Sequence, residues 1–477
     1  GYDQGWNEDV MVGGRYHNGN MAYLQNYPEG EFLALGGGEA ATGYVQYSDD
    51  NRTLFSDIGG RILPENLNET PTYFGVGQTP NENYWNNASS RIMFDHAYFD
   101  VAWVGRDHKL YRSENGGGSF SEFYAFGDND ANDLFWMEQS YANHDVMYVQ
   151  QAIGNNTTKL WRTADHGISW DEVQLPSNMR YISFTTSSSN PDELWISYYD
   201  AGNNNKVYHT VNAGTDWDNL STATLNGQSA WAIAHAFGTD GGVYLATLHG
   251  NVYYRNNTMN DWAEYSTGLP VSTEPLRLVP FHRDQKLRLA CWNLGVWEAP
   301  FYEPSALMAD FAAESATYFC TGDEVHFVNH SVCSADATLQ WFFPGATPSS
   351  SNEPYPTVVY NNPGAADVTL IVTENGVSDT ITKVAYISDY DNVATLIEED
   401  FETGAIPSTW IAEGNGAWSI AADVSGFGVG AYSMRFDNYY YDAQGARDRI
   451  WTGKLNNPGM NLTFDVAYAP YGGNYSD

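Results

Sequence analysis

Carboxylates dominate the chemistry open to this chain: 59 acidic side chains stand against 21 basic ones in 477 residues. Two carboxyl groups facing each other across a cleft can cleave a glycosidic bond, one lending a proton while the other attacks or activates water. Spacing alone singles out no such pair. Asp128-Asn129-Asp130-Ala131-Asn132-Asp133 crowds hard oxygens onto one loop, which makes Asp128, Asp130 and Asp133 candidate calcium ligands. The loop lacks the glycine and terminal glutamate of an EF-hand, and a solvated acidic turn is the alternative. His17, His96, His108 and His249 fall by strand ends or turns and read as surface or turn histidines. His-Glu-x-x-His and Gly-x-Ser-x-Gly are both absent, which removes the commonest metalloprotease and serine-hydrolase signatures. Tyr439, Tyr440 and Tyr441 are adjacent and cannot all share one face of a strand. The outward ring is a candidate for stacking on a sugar, with edge packing as the alternative.

Three cysteines are present. Cys320 and Cys333 flank a strand and a turn, and a disulfide between them would place the chain in an oxidising compartment. Cys291 lies in the apolar run Leu289-Ala290-Cys291-Trp292 and reads as a buried thiol. No Cys/His cluster has zinc spacing.

A formal charge of -38 repels phosphate backbones and anionic lipid surfaces, which excludes nucleic acid as a partner. It suits a calcium-rich, salty exterior, and it also serves solubility with no ligand at all. No apolar stretch reaches membrane-spanning length.

The elements that must position these groups are strands. With 45 Gly, 34 Tyr and 16 Trp, the composition favours pleated half-buried surfaces joined by tight turns. One line recurs: Leu110-Tyr111-Arg112-Ser113, Leu160-Trp161-Arg162-Thr163 and Val207-Tyr208-His209-Thr210, with weaker copies at Val252-Tyr253 and Val296-Trp297. Its aromatic advances by 50, 47, 45 and 44 residues, the length of one four-stranded propeller blade. A second apolar strand precedes each copy, and earlier copies are expected near Val10 and Thr53.

Three copies run into a turn with a fixed pattern: Ser113-x-Asn115-x-Gly117-x-x-Phe120, Thr163-x-Asp165-x-Gly167-x-x-Trp170 and Thr210-x-Asn212-x-Gly214-x-x-Trp217. The amide or carboxylate accepts turn N–H groups, glycine supplies a positive φ, and the aromatic folds back between sheets. This pattern resembles the Asp box, or BNR repeat, of sialidases, sortilin-type propellers and xyloglucanase-type glycosidases. The resemblance implies a structural role for these residues and a β-propeller over residues 1–302. A sialidase would also carry a Phe/Tyr-Arg-Ile-Pro motif, and Gly60-Arg61-Ile62-Leu63-Pro64 departs from it.

Pro300 and Pro304 mark a linker. Beyond it, Trp341-x-Phe343-x-Gly345 and Pro356-x-Val358-x-Tyr360-x-x-x-Gly364 resemble the PKD domains of secreted Bacteroidetes-type proteins, expected here over residues 306–388. Asp400-Phe401-Glu402-x-Gly404 with Pro407-x-x-Trp410 resembles choice-of-anchor or MAM-like jelly-roll modules, whose incomplete start is expected over residues 396–477. That resemblance makes Glu402 and Asp437 candidate calcium ligands. The expected fold class is thus all-β, with roughly seven propeller blades, an Ig-like sandwich and a partial jelly roll. The chain starts at Gly1 without methionine and stops soon after a strand, so it is expected to be a piece of a longer precursor. The resemblance implies a cleaved signal, type IX secretion and a sorting domain.

Two functions follow as expectations. The first is an extracellular or cell-surface adhesion protein that binds glycan or protein through propeller loops, with self-association as a further possibility. The alternative is a polysaccharide-degrading glycoside hydrolase. Structural calcium is the expected cofactor, with no organic one.

Overall fold

A computed structural model describes residues 2–389, except 16–17, 38–42, 49–50, 75–90, 128–133, 154–156, 178, 180–181, 200, 249, 271–272 and 315–316; beyond these it describes 399–407, 410–413, 418–422, 430–436 and 449–452. Among the described residues there are strands and two short 3-10 turns, and no α-helix.

Up to Pro300, every sheet is an antiparallel meander of strands consecutive in sequence. Among the described residues seven such sheets succeed one another, six of four strands and the last of three. Their first strands are Tyr2–Gln4, Gly43–Val45, Arg91–Phe94, Leu134–Gln139, Ile182–Thr186, Ala230–His235 and Pro275–Phe281. Each of these packs beside the next, and the seventh packs beside the first, so the sheets form a closed ring around a central channel. The recurring apolar run is the second strand of each sheet and the aromatic line is the third, as in Met147–Ile153 followed by Thr157–Thr163.

Apolar wedges fill the gaps between successive sheets. Val12, Leu24 and Phe55 join the first two, Trp103, Met147 and Trp170 the third and fourth, and Tyr244, Val252 and Leu289 the last two. Closure of the seventh sheet onto the first is polar instead. Gln4 Nε2 donates to Pro280 O at 2.7 Å, Arg277 Nη1 donates to Tyr2 O at 2.8 Å, and the buried Arg288 meets Asp9 at 2.9 Å. The last strand of that sheet, Gly295–Pro300, exposes Val296 and Trp297.

Residues 311–389 form a sandwich of a four-stranded and a five-stranded sheet. Phe311, Phe327, Trp341, Phe343 and Leu370 fill the space between them, and Trp341 Nε1 donates to Glu353 O at 2.9 Å. Two short strand pairs, Ile411–Glu413 with Arg449–Trp451 and Trp418–Ala421 with Ser433–Phe436, follow.

The expected Cys320–Cys333 disulfide is not formed. The two residues flank opposite ends of the strand Glu324–Asn329, and six extended residues span about 20 Å, far beyond the reach of an S–S bridge. Cys333 is buried, and Asn329 Nδ2 lies 3.9 Å from its Sγ. Cys291 is half-buried rather than fully buried, and burial pushes its thiol up to about 11.

Candidate functional site

The side chains of the first strands converge on a central cavity of about 180 Å³. Along those strands it is lined by Asp3, Tyr44, Arg91, Trp136, Glu138 and Arg277. The Arg277 guanidinium lies 4.8 Å from the Trp136 ring centroid and 3.9 Å from Asp3 Oδ1. Asp3 also accepts from Val45 N at 3.0 Å; burial raises its pKa in spite of Arg277. Thr185 donates to Glu138 Oε1 at 3.0 Å, the Thr186 backbone and the Trp136 indole also face that carboxyl, and the buried Arg91 Nε has no hydrogen-bond partner. Burial pushes the Glu138 carboxyl up to about 8, so it holds its proton at neutral pH. The cavity thus presents two guanidinium groups, one indole N–H and one carboxylic acid against a single paired carboxylate. It is rich in donors inside an acidic molecule.

Just past the end of each first strand stands one more inward side chain. Six of the seven are rings: Trp6, Tyr47, His96, Tyr141, Phe237 and His282; the fifth sheet places Ser188 there. Trp6 stacks on Tyr141 at 6.0 Å, Tyr47 on His96 at 5.2 Å and Phe237 on His282 at 4.8 Å. This collar receives a turn of the sandwich, Asn329-His330-Ser331. Trp6 Nε1 donates to Ser331 O at 3.1 Å, Tyr141 Oη to His330 O at 2.8 Å, and Asn7 Nδ2 to Asn329 O at 2.7 Å. The His330 ring lies 3.2 Å from His96 O and 5.2 Å from the Tyr47 centroid. Burial holds His96 down at about 4, His282 at about 3 and His330 well below its ordinary value. Beside the collar, His144 meets Asp310 at 3.0 Å and Lys383 meets it at 3.1 Å.

The three Asp-box turns share one geometry. Gly117 N, Gly167 N and Gly214 N donate to the preceding Ser113, Thr163 and Thr210 hydroxyls at 2.9, 2.9 and 3.0 Å. Asn115, Asp165 and Asn212 accept from the amides four residues on at 2.9, 2.8 and 2.9 Å. Each glycine has φ between +85° and +89° and sits against the preceding sheet. A Cβ on Gly214 would come within 2.5 Å of Val173 Cγ1.

A family model described as Sortilin-Vps10 (sortilin, neurotensin receptor 3) matches residues 108–236, the stretch that carries all three turns. The three Asp-box turns of that stretch join strands of the β-propeller sheets described above. No curated protein sequence matches it. Among solved structures, YCF48 from Cyanidioschyzon merolae aligns over 61% of this chain and 94% of its own, at 10% identity and a TM-score of 0.40. The extracellular domain of a one-component system from B. thetaiotaomicron aligns over 80% of this chain and 55% of its own, at 8% identity and a TM-score of 0.42. An ancestral GH74 enzyme aligns over 80% and 37%, at 10% identity and 0.34.

The other residues singled out by sequence are scattered. Asp128, Asp130, Asp133, Asp437, Tyr439, Tyr440 and Tyr441 lie outside the described residues, as do His17 and His249. Glu402 spends its carboxylate on the backbone amides of Ala431 at 2.8 Å and Tyr432 at 3.0 Å. Among the described residues no group of three or more His, Cys, Asp or Glu could hold a metal ion. Arg61 is buried, donates to Ile58 O and Gly60 O at 2.7 Å, and lies under Tyr73, so it holds its own hairpin.

His96 corrects the surface-histidine reading, because it stands half-buried in the collar against Tyr47 and His330. Sequence reasoning also missed the collar, Glu138 and the channel arginines. The collar has a faint signal, a ring or imidazole about two residues after each first strand. It is legible only once the strand ends are known.

Proposed function

We propose that this chain is an extracellular glycan-binding protein. In this reading residues 1–302 form a seven-bladed propeller that binds, residues 306–388 a PKD sandwich that supports it, and residues 396–477 the start of a jelly-roll-type spacer. One observation carries the proposal. The rings of Tyr44 and Trp136, both with the Arg277 guanidinium over one face, line one cavity with Arg91, Asp3 and Glu138. That combination serves a sugar, whose C–H faces stack on rings while its oxygens take hydrogen bonds. No helix among the described residues is long and apolar enough to cross a membrane.

A glycoside hydrolase is the second reading. It is favoured by Glu138, which keeps its proton at neutral pH in the same cavity as Asp3, the division of labour that a general acid and its partner carboxylate require. Glycan-array binding combined with a hydrolysis screen on the bound glycans decides between them. Binding without release of product is expected. Turnover that disappears in Glu138→Gln would instead establish the hydrolase, and no binding to any glycan would overturn both.

A further inference from the structure

We propose that the outer edge of the seventh sheet is a self-pairing surface, where a second copy of this chain adds its own edge strand across a two-fold axis at Trp297. It serves this purpose whether or not the channel binds glycan.

The edge is open because no fourth strand follows the third. After Pro300 the chain crosses to the sixth sheet. There Tyr302 N donates to Tyr244 Oη at 2.6 Å, Tyr254 Oη donates to Glu303 Oε1 at 2.6 Å, and Ala306 N donates to Gly238 O at 2.7 Å. Among the described residues Gly295–Pro300 is therefore the outermost strand of its sheet. The other six sheets end on fourth strands of two to five residues, and four of those strands carry an acidic side chain. Short, charged edges resist pairing with another chain. The seventh edge is six residues long, with Val296 45% and Trp297 37% exposed on its alternate faces.

The ladder decides which backbone groups that edge offers. Phe301 N donates to Gln285 O at 2.7 Å, and bonded pairs alternate along an antiparallel ladder. Leu289 stands opposite Trp297, so Gly295, Trp297 and Ala299 spend their N–H and C=O groups on the second strand. Val296 and Glu298 turn theirs outward. Pro300 has no N–H, and Tyr265 Oη already donates to its oxygen at 2.5 Å.

Those two residues fit a copy of themselves. An antiparallel partner that sets Val296 opposite Glu298, and Glu298 opposite Val296, closes four N–H···O bonds. The two Trp297 side chains then face each other at a non-bonded site, where strands come closest and aromatic pairs stabilise. Neighbouring registers fit worse. One sets Glu298 against Glu298, a like-charge pair, and Val296 against Pro300, which cannot donate. The other sets Glu298 against Leu294, which lies in the turn before the strand.

Charge permits the contact. Lys286 at 2.5 Å and Arg288 at 3.4 Å already neutralise Glu298. Residues 275–300 hold four Lys and Arg against two acids, in a chain with 21 against 59. Two copies that repel each other elsewhere meet here where repulsion is weakest. The contact is isologous and closes at two copies.

Sedimentation equilibrium of the whole protein should find a dimer of twice 53.0 kDa. Its Kd should fall at least threefold between 50 and 500 mM salt, as the net charge is screened. Val296→Pro removes one outward N–H, leaves the inner ladder intact and should raise Kd tenfold or more. Val296→Glu sets like charges opposite each other and should do the same. Val296→Lys faces Glu298 of the copy and should stay within threefold of wild type. Where Val296→Pro fails to fold, this Glu and Lys pair of variants carries the test. Trp297→Cys should cross-link into a dimer with oxidised glutathione, because facing Cα atoms at such a site lie about 4.5 Å apart. Ile168→Cys, more exposed and on another sheet, should not. A monomer at every salt concentration overturns the proposal. So does a dimer that Val296→Pro and Val296→Glu leave unchanged, or an assembly that grows beyond two copies.

Discussion

Asp95 is buried without any exposed surface and binds four partners: Trp103 Nε1 at 2.7 Å, His166 Nε2 at 2.9 Å, Ala97 N at 2.7 Å and Tyr98 N at 3.2 Å. Burial opposes its charge, but His166 and these donors hold it well below the usual carboxylate range. Burial likewise pulls His166 down, and Asp95 with Asp145 outweighs it, leaving the imidazole at about 9. The folded His166 pKa therefore exceeds the ordinary 6.5 while that of Asp95 lies below the usual carboxylate range, so the pair stabilises fully between the ordinary carboxylate range and pH 6.5, loses that as pH rises towards 9, and loses it in acid as Asp95 protonates. NMR titration should find His166 protonated at pH 7.5. His166→Leu leaves a buried unpaired carboxylate and should cost about 3–5 kcal/mol in urea unfolding; a loss below 1 kcal/mol would show that the pair is not buried as described. Gly214→Ala should also destabilise, by about 1–3 kcal/mol, since it demands a positive φ and a clash with Val173. At this scale the Asp-box residues were legible because their chemistry is local: donor, acceptor and glycine lie within five positions of one another. His166 was not, because it occupies a variable position of its box and its partner Asp95 is 71 residues away.

Strands and turns carry the next level. The third strands announced themselves by an aromatic every 44 to 50 residues, since each packs against the next sheet in the same way. First strands had no such label. Their inward side chains range from Asp3 to Trp136 because they line a channel rather than a repeated core, so the site they build could not be read ahead of the structure. The Cys320–Cys333 expectation failed for a similar reason: proximity in sequence was taken as proximity in space, and an intervening strand holds the pair apart. The collar yields a prediction of its own. His96, His282 and His330 of the collar, and His235, which ends the strand Ala230–His235 and bonds Ser188 at 3.1 Å, are neutral, with burial the leading cause. Their folded pKa values lie below 6.5, so the unfolded chain takes up protons first as pH falls. Stability should be flat above pH 6.5 with respect to these groups and should decline between pH 6.5 and 4. Thermal unfolding from pH 7 to 4 should show that decline. His330→Phe, which keeps a ring in the collar and removes one titrating group, should flatten it. An unchanged slope would mean that His330 is not held in the channel mouth.

Across the whole molecule, ring and sandwich behave as one body because the Asn329-His330-Ser331 turn is shared between them. Tyr141→Phe deletes the hydroxyl that bonds His330 O and faces the Val332 backbone and should cost about 1 kcal/mol, lowering a single unfolding transition of both parts. The ring itself was expected from the repeat, and the sandwich from its Trp341 and Tyr360 patterns. The docking of one into the other was not, because it depends on backbone carbonyls of Asn329, His330 and Ser331 that no side-chain pattern encodes. The decisive measurement is a crystal structure of the whole protein with the best-binding oligosaccharide from the glycan panel. The account expects sugar in the cavity lined by Trp136, Arg91 and Glu138, with His330 still seated. Sugar density on the outer strands, or an oligosaccharide threaded through a displaced His330 turn, would contradict it.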